Sequence, residues 1–436
     1  MKLAYCITCK GRTQHIAYTL PKNIADNPQA HFVLVDYHDP GELLRYLSEN
    51  HKGDMESGRL SLYSTTQPGP FRMAHAKNMA HRLAIKEGAT VLVNMDADNY
   101  TGPGFDDFLL NQYSRHPDGF MWARMVKGVL PRGISGRIAL TAKAFINVGG
   151  YDERYAAWGS DDKDLNMRLL RLGYKAFEID AKYLCAVQHT DKMRFKEYRG
   201  VSHLTMVNEE MSDACEAETT ITNNGVIGCG TVFKNMDWEN PMSIDPMPTR
   251  IFGIGMHKTA TTSLHTALTI LGVDSAHWKN AHWAKAIWEE MRVWGRSLTM
   301  ERSYAVCDLP IPMLFKEFDE SYPGSKFILT LRDEENWIKS VEDHWNPDLN
   351  QFRNAWNHDP FSHKCHNLLY GHKGFDRESM LARYRRHNGE VKAYFWDRPG
   401  DLLVMDMDKG AGWKELCGFL GKPVPAVDYP RAYATY

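Results

Sequence analysis

The chain has no stretch approaching the roughly 18 consecutive apolar residues of a membrane-spanning helix, and its opening, MKLAYCITCKGR, reads as a first strand and not as a cleavable leader. On that reading it is expected to be cytoplasmic, with no transmembrane segment. Nor is there a surplus of positive charge: 52 Lys and Arg stand against 54 Asp and Glu, so nothing points to a nucleic-acid partner. The eight cysteines are scattered, without the paired spacing of a zinc site. Their only short pair, Cys6-x-x-Cys9, reads as two buried thiols. Internal repeats and low-complexity tracts are missing too. What remains is an ordinary globular composition over 436 residues, a length comfortable for two domains.

The stretch around which the second half is organised is Ile251 to Gly272, IFGIGMHKTATTSLHTALTILG. A short apolar strand runs into a glycine-containing turn, then Lys258 and a run of hydroxyls (Thr259, Thr261, Thr262, Ser263). A helix follows with Leu264, Leu268 and Leu271 on one face, and Gly272 is placed to end it in a left-handed cap. Free first-turn amides, the helix dipole, a lysine and several hydroxyls converge on one spot, which makes an anion site, most naturally for phosphate. It is not a Walker A loop, because His257 and not glycine precedes Lys258. Further on, KFILTLR (Lys326 to Arg332) reads as a buried strand ending in an arginine. The helix Asn336 to Trp345 after it carries Ser340, eight residues past Arg332. An arginine fork with a hydroxyl suits a phosphate dianion.

These segments, together with CDLPIPMLFKEFDESYPGSKFILTLRD and LLVMDMDKGAGWKELCGFLGKPVP, resemble sulfotransferases that use 3′-phosphoadenosine-5′-phosphosulfate (PAPS), over roughly Arg250 to Pro430. The resemblance implies a P-loop-like α/β domain with a parallel sheet. In it His257, Lys258, Thr259, Ala260, Thr261, Thr262 and Ser263 would bind the 5′-phosphosulfate, and Arg332 and Ser340 the 3′-phosphate. Sulfuryl transfer needs a base on the acceptor hydroxyl and a cation on the bridging oxygen of the leaving group. Lys258 suits the cation role. Asp308, after the short strand Tyr304 to Cys307, leads as base, with His257, His277 and His282 also open. The tryptophans of Ala276 to Trp294 read mostly as core. No metal is implied in this half.

In the first half, Lys2 to Thr8 and His31 to Val35 read as parallel strands flanking a helix at Gln14 to Ile24, which puts Thr8, Arg12 and Asp36 at a candidate nucleotide site. After a helix at Pro70 to Glu87, the apolar strand Ala89 to Met95 delivers Asp96-Ala97-Asp98-Asn99 into a loop. Two carboxylates at i and i+2 make a hard-oxygen site for Mn²⁺ or Mg²⁺. Next come GGYDE (Gly149 to Glu153) and Trp158-Gly159-Ser160-Asp161-Asp162, followed by a helix ending near Gly173.

That order resembles glycosyltransferases of the GT-A fold, Rossmann-like nucleotide-sugar domains, and especially the galactosyltransferase-like C-terminal module. The resemblance implies that Asp96 and Asp98 hold the metal-diphosphate of a nucleotide-sugar, most naturally a UDP-sugar, with His189 a further metal ligand. Asp162 would be the general base, with Asp161 and Trp158 at the acceptor. Arg72, His75 and Asn78 would fall on a helix facing the nucleotide. The sequence departs from the family at Ser160-Asp161, where the family has Gly-Glu, and at Lys163, where it has an acid; both bear on the acceptor.

Asn208 to Met236 reads as a lid or acceptor loop, and 241–249, with three prolines in Asp237 to Thr249, as a linker between domains at 1–240 and 250–436. The expected activity is a bifunctional transferase acting on a glycan or glycolipid, with inversion favoured at the sugar. Alternatives are one live domain beside a glycan- or nucleotide-binding module, a kinase or NTPase in the second half, and a non-catalytic scaffold.

Overall fold

The computed structural model describes residues 1–37, 41–65, 71–123, 134–155, 159–187, 222–345, 360–372 and 374–432. The chain divides into two compact units, Met1–Met247 and Pro248–Tyr436.

The strands of the first unit are Leu3–Cys9 (β1), His31–Tyr37 (β2), Leu60–Thr65 (β3), Val91–Asp96 (β4), Asn99–Tyr100 (β5), Gly119–Trp122 (β6), Ile138–Thr141 (β7), Lys175–Glu178 (β8), Cys185–Ala186 (β9), Gly230–Lys234 (β10) and Pro241–Ile244 (β11). One sheet runs β11-β10-β3-β2-β1-β4-β7-β6-β8, and β5 pairs with β9. The four central strands β3, β2, β1 and β4 are parallel, while β7 and β10 run against their neighbours. Parallel strands are covered on both faces, so β1 is apolar throughout and its alternate residues enter two different cores. Ala4 and Cys6 join Val33 and Val35 on one side; Leu3, Tyr5, Ile7 and Cys9 join Phe32 and Leu34 on the other. Cys6 and Cys9 therefore face opposite sides of the sheet, each a buried free thiol.

The helix Met73–Lys86 packs on β1 and β2, burying Ala74, Ala76, Met79, Ala80, Leu83 and Ala84. Strand order reverses between β1 and β4, the crevice where open α/β sheets hold ligands. There Thr8 is in register with Asp96, and on the other side of β1 Cys9 is in register with Asp36. Asp36 thus lies inside β2, two residues deeper than a strand ending at Val35 would place it.

Two expectations about connecting segments need correction. The stretch 241–249 is not linker throughout: Pro241–Ile244 is an edge strand paired with β10, and the units divide after Met247. Nor is 222–236 a lid. Asn223 donates to the Gly149 and Tyr151 carbonyls at 2.8 and 2.7 Å, and Gly230–Lys234 joins the sheet beside β3. A Cβ on Gly228 would sit 2.4 Å from the Met79 backbone nitrogen, so only glycine permits this approach to the helix. Residues 208–221 lie outside the described ones.

The second unit is a five-stranded sheet of Ile251–Gly253 (β12), Ser275–His277 (β13), Ala305–Cys307 (β14), Lys326–Leu331 (β15) and Leu402–Asp406 (β16), in the order β13-β14-β12-β15-β16. All neighbours are parallel. The loop after β12 opens at the reversal of strand order, and the helix Thr261–Ile270 follows, with Gly272 at φ +72° just past it. The aromatic segment beginning at Ala276 is a strand first. Its helix starts at Ala281, where the Asn280 side chain accepts the Trp283 amide at 2.8 Å. Trp283 and Trp288 are buried, whereas Trp294 is 67% exposed and so lies outside the core. Among the described residues no helix is long and apolar enough to cross a membrane.

Candidate active sites

In the first unit, Asp96 ends β4 and Asp98 lies in the turn that follows. Asp161 and Asp162 open the helix Asp161–Arg171, where first-turn acids are favoured by the helix dipole. A Cβ built on Gly136 would lie 2.9 Å from Asp162 Oδ2 and equally 2.9 Å from Asp96 Oδ2. The two carboxylates, remote in sequence, converge on that bare stretch of backbone. Asn94 holds the stretch by donating to the Gly136 carbonyl at 2.8 Å.

Two cations flank the acids. Lys77, with a side chain 1% exposed, donates to Asp161 Oδ2 at 2.7 Å and Asp162 Oδ1 at 2.8 Å. Burial alone would lower its pKa, but Asp161 and Asp162 outweigh it and hold the ammonium well above its usual value. The fully buried Arg137 donates to the Tyr183 carbonyl at 2.8 Å and to Asn99 Oδ1 at 3.2 Å, beside the Asp98 turn. Asn99 in turn donates to Asp98 Oδ1 at 2.9 Å. Burial, with Asp161 next to it, pushes the Asp162 carboxyl up to about 7. Burial likewise raises Asp96, with Asp98 and Asp161 adding to the effect and Lys77 opposing it.

Other residues expected at this site are engaged elsewhere. Asn78 is fully buried: its amide donates to the Tyr151 carbonyl and to Glu153 Oε1, and its oxygen accepts the Tyr151 N–H. It fixes the Gly149–Tyr151 turn and has no group left for a nucleotide. His75 is bound on both ring nitrogens, by the Tyr37 hydroxyl at 3.0 Å and the Cys229 carbonyl at 2.9 Å. Arg72 is half exposed, 3.8 Å from Glu153. Arg12 contacts His15 at 3.4 Å at the head of the helix Thr13–Asp26. Trp158 and His189 lie outside the described residues, although the Val187 N–H donates to the Asp98 carbonyl at 2.8 Å. Among the described residues no group of three or more His, Cys, Asp or Glu is arranged to hold a metal ion.

In the second unit the loop after β12 has left-handed backbone at Lys258 (φ +65°) and Ala260 (φ +68°), two non-glycine residues in a strained region. Alternating left-handed residues ahead of a helix N-terminus make an anion-binding concavity. The loop is locked from beneath. Thr259 is fully buried, donates to the Met256 carbonyl at 2.6 Å and meets the Thr330 hydroxyl of β15 at 2.7 Å. His257 is buried as well, its Nδ1 3.3 Å from the Tyr370 hydroxyl, and burial with His366 beside it keeps the imidazole well below its usual pKa. These two side chains brace the loop from within, although His257 Nε2 is buried without a hydrogen-bond partner. Ser263 is buried and accepts the Ala432 N–H at 3.0 Å.

The candidate base gains a partner. His277 Nε2, at the end of β13, is 3.3 Å from Asp308 Oδ2 and 3.0 Å from the Thr261 hydroxyl, with Thr262 at 3.4 Å. Asp308 Oδ1 accepts the Leu309 N–H at 2.8 Å. Burial lowers the Lys258 pKa, with Asp308 acting against that and Arg332 adding to it, so these groups share one electrostatic neighbourhood. Arg332 directly follows β15 with Nε 3.6 Å from Asp408, and Ser340 lies two turns into the helix Glu334–Trp345, half-buried. His282 is exposed and joins neither group.

Sequence reasoning missed Lys77, Gly136, Arg137 and Asp408. Lys77 did carry a signal: it sits among alanines on a helix that contains no acid, so a buried ammonium there must find its carboxylate in another element.

A family model described as a sulfotransferase domain matches residues 250–435, and one described as the N-terminal domain of galactosyltransferase matches residues 125–198. With the two α/β sheets above, these matches support a transferase enzyme in which a galactosyltransferase-like segment is joined to a sulfotransferase-like domain. The chain is 23% identical over 216 residues to Ava biosynthesis cluster protein M of Aspergillus versicolor, covering 42% of this chain and 80% of that protein. Among solved structures, S. aureus TarS aligns with 47% of this chain at TM-score 0.36 and 13% identity. The mannosyltransferase PcManGT of Pyrobaculum calidifontis, solved with GDP-Man and Mn²⁺, aligns with 49% at 0.35 and 17%. The catalytic domain of Drosophila β1,4-galactosyltransferase 7, solved with xylobiose, aligns with 50% at 0.35 and 14%, over 82% of its own length. The chain spans 41% of TarS and 62% of PcManGT, under two thirds of each.

Proposed function

We propose that the chain is a bifunctional transferase that moves a glycosyl group from a nucleotide-sugar to a hydroxyl and a sulfuryl group from PAPS to a hydroxyl, both on a glycan or glycolipid. The glycosyl half rests on the convergence of Asp96 and Asp162 over Gly136. One divalent ion, Mn²⁺ or Mg²⁺, fits the hard-oxygen set of Asp96 and Asp98 and would neutralise a diphosphate leaving group. Asp162 takes the proton of the acceptor hydroxyl as its oxygen bonds to the sugar's anomeric carbon, whose bond to phosphate breaks. Burial has already raised the basicity of this carboxylate. Lys77 holds it in place.

The sulfuryl half rests on the Asp308–His277 pair at the head of the helix Thr261–Ile270. The acceptor oxygen bonds to sulfur, the bond from sulfur to the 5′-phosphate oxygen breaks, and the electron pair stays on that phosphate. The acceptor proton passes to the Asp308–His277 pair. Lys258 and the first-turn amides stabilise charge on the departing oxygen, and Arg332 with Ser340 anchors the 3′-phosphate.

A thermal-shift screen of the full chain against 3′,5′-ADP, ATP, and UDP- and GDP-sugars with and without Mn²⁺ tests this. A ligand at 100 times its Kd adds about 2.7 kcal/mol to the unit that binds it. Stabilisation by 3′,5′-ADP and by one metal-dependent nucleotide is the expected result. Silence from one class would make that unit a binding module, and preference for ATP over 3′,5′-ADP would make the second unit an NTPase.

A further inference from the structure

We infer that His277 holds a proton while the first turn of the helix Thr261–Ile270 holds a phosphate, so that 3′,5′-ADP binds with uptake of a proton and leaves with its loss. This rests on the sulfuryl half of the function proposed above. His277 Nε2 has three oxygens around it: the Thr261 hydroxyl at 3.0 Å, Asp308 Oδ2 at 3.3 Å and the Thr262 hydroxyl at 3.4 Å. An ionised carboxylate can only accept, and a hydroxyl that accepts from the ring keeps its own O–H for an anion. With a proton on Nε2, Thr261 accepts from the imidazole and donates onward to whatever the helix N-terminus binds.

Asp308 is fixed in this arrangement. Its backbone is left-handed (φ +72°), its Oδ1 accepts the adjacent Leu309 N–H at 2.8 Å, and its Oδ2 faces the imidazole. The other titratable groups around the ring do not compete for the proton. His265, on the same helix as the threonines, has its Nδ1 2.9 Å from the Ser275 hydroxyl. Burial lowers its pKa, with His277 adding to the effect. Cys307, in register with His277 on β14, is a buried thiol pushed up to about 12. Lys258 feels Asp308 and shares the neighbourhood as a cation.

Lys258 balances Asp308 by itself, so without a phosphate a second cation has nothing to neutralise. A 5′-phosphate dianion at the first turn leaves these groups two negative charges in excess, and an imidazolium offsets one of them. The reaction delivers both at once. The Asp308–His277 pair takes the acceptor's proton as the 5′-phosphate oxygen keeps the electron pair of its bond to sulfur. The product complex is thus the protonated one, and loss of the proton from His277 loosens the nucleotide for release.

The full chain is titrated calorimetrically with 3′,5′-ADP at pH 7.5, where a phosphate monoester is mostly dianionic and an ordinary imidazole mostly neutral. Binding heats in Tris, HEPES and MOPS, which differ in ionisation enthalpy, count the protons taken up. More than about half a proton per nucleotide is expected, with affinity falling about three- to tenfold from pH 7.5 to 8.5. His277→Gln is expected to bind without proton uptake and with little pH dependence, and His265→Gln to behave as wild type. Thr261→Val/Thr262→Val keeps the imidazole and the first-turn amides but removes the hydroxyl link, and is expected to take up fewer protons than wild type.

Wild-type binding without proton uptake overturns the inference with no variant needed. So does uptake that persists in His277→Gln, is undiminished in the threonine variant, or vanishes in His265→Gln. If His277→Gln does not fold, the threonine variant decides. In these cases weaker binding by Lys258→Ala leaves the sulfuryl site standing. A wild type that does not bind 3′,5′-ADP, or a Lys258→Ala variant that binds it equally well, overturns the sulfuryl reading and this inference with it.

Discussion

Trp337 donates its indole N–H to the carbonyl of His257 across 3.0 Å, tying the loop before Lys258 to the helix that carries Ser340. The fully buried indole also stacks on Tyr384, centroids 4.2 Å apart and planes 14° from parallel. The Tyr384 hydroxyl accepts from Arg332 N at 2.9 Å and donates to Arg332 O at 2.8 Å. One aromatic pair thus fixes the backbone of both segments assigned to PAPS. Trp337→Phe keeps a ring but leaves the His257 carbonyl without its donor, at a cost of about 1–3 kcal/mol. Calorimetry with 3′,5′-ADP should show weaker binding and an earlier melt of the second unit; unchanged affinity would count against the coupling.

Asp408 positions Arg332 more gently. Its Oδ1 lies 3.6 Å from Arg332 Nε, and its Oδ2 accepts the Asp333 N–H at 2.8 Å and Asn336 Nδ2 at 3.3 Å. With Nε turned to Asp408, the terminal guanidinium nitrogens are left for a phosphate. Pairs this exposed contribute about 0.2–1 kcal/mol, so Asp408→Ala should narrow the preference for 3′,5′-ADP over 5′-AMP by at most about fivefold. Binding of 5′-AMP should not move. Equal losses for both nucleotides would point to general disorder of the loop instead.

Gly136 admits no side chain. An alanine Cβ at 2.9 Å from both Asp96 Oδ2 and Asp162 Oδ2 must push one carboxylate aside. Displacing a reacting group by about 1 Å costs on the order of 10²-fold in rate. Gly136→Ala is therefore expected to lose glycosyl transfer by about that factor while sulfuryl transfer by the same preparation is unaffected. Parallel loss of both activities would indicate unfolding and not a local effect.

Acid stability of the first unit has a specific source in Glu87. Its carboxylate accepts from Ser61 at 2.8 Å, Tyr63 at 2.6 Å, His31 and Lys234. Burial would raise its pKa, but these four partners together outweigh burial and hold it well below the usual 4.5. A depressed folded pKa adds stability that is present above about pH 4.5 and is lost as pH falls towards the folded value. Melting of the first unit should drop progressively below about pH 4.5 in the wild type. Glu87→Gln should melt earlier at pH 7, by about 1–3 kcal/mol, and show a shallower decline with acid.

The elements that carry the chemistry were legible because their signals are local. The apolar run ending in Asp96-Ala97-Asp98, the glycine, lysine and hydroxyl run after β12, and the KFILTLR strand each state a strand, a turn and a charge within one short window. Their boundaries came within a few residues of Val91–Asp96, Thr261–Ile270 and Lys326–Leu331. The strand that opens the aromatic segment at Ala276 was not legible, because alternation over three residues, Ser275–His277, is too brief to register. Pro241–Ile244 was misread as linker because an edge strand tolerates proline.

Which residues carry charge to the sites was written in the chain; which of them meet was not. Lys77 and Asp161 are 84 positions apart yet are joined by a hydrogen bond of 2.7 Å, and no periodicity links them. Asn78, beside Lys77 in sequence, points the other way and is consumed by the Gly149–Tyr151 turn, a difference of one helical step that only packing against β1 and β2 resolves. His277 and Asp308 were both candidates as a base, and it is the parallel pairing of β13 with β14 that makes them a pair. Local pattern dictates elements because backbone hydrogen bonding and side-chain alternation act over a few residues. A site is assembled by burial, which acts across the whole core and leaves no trace in the spacing.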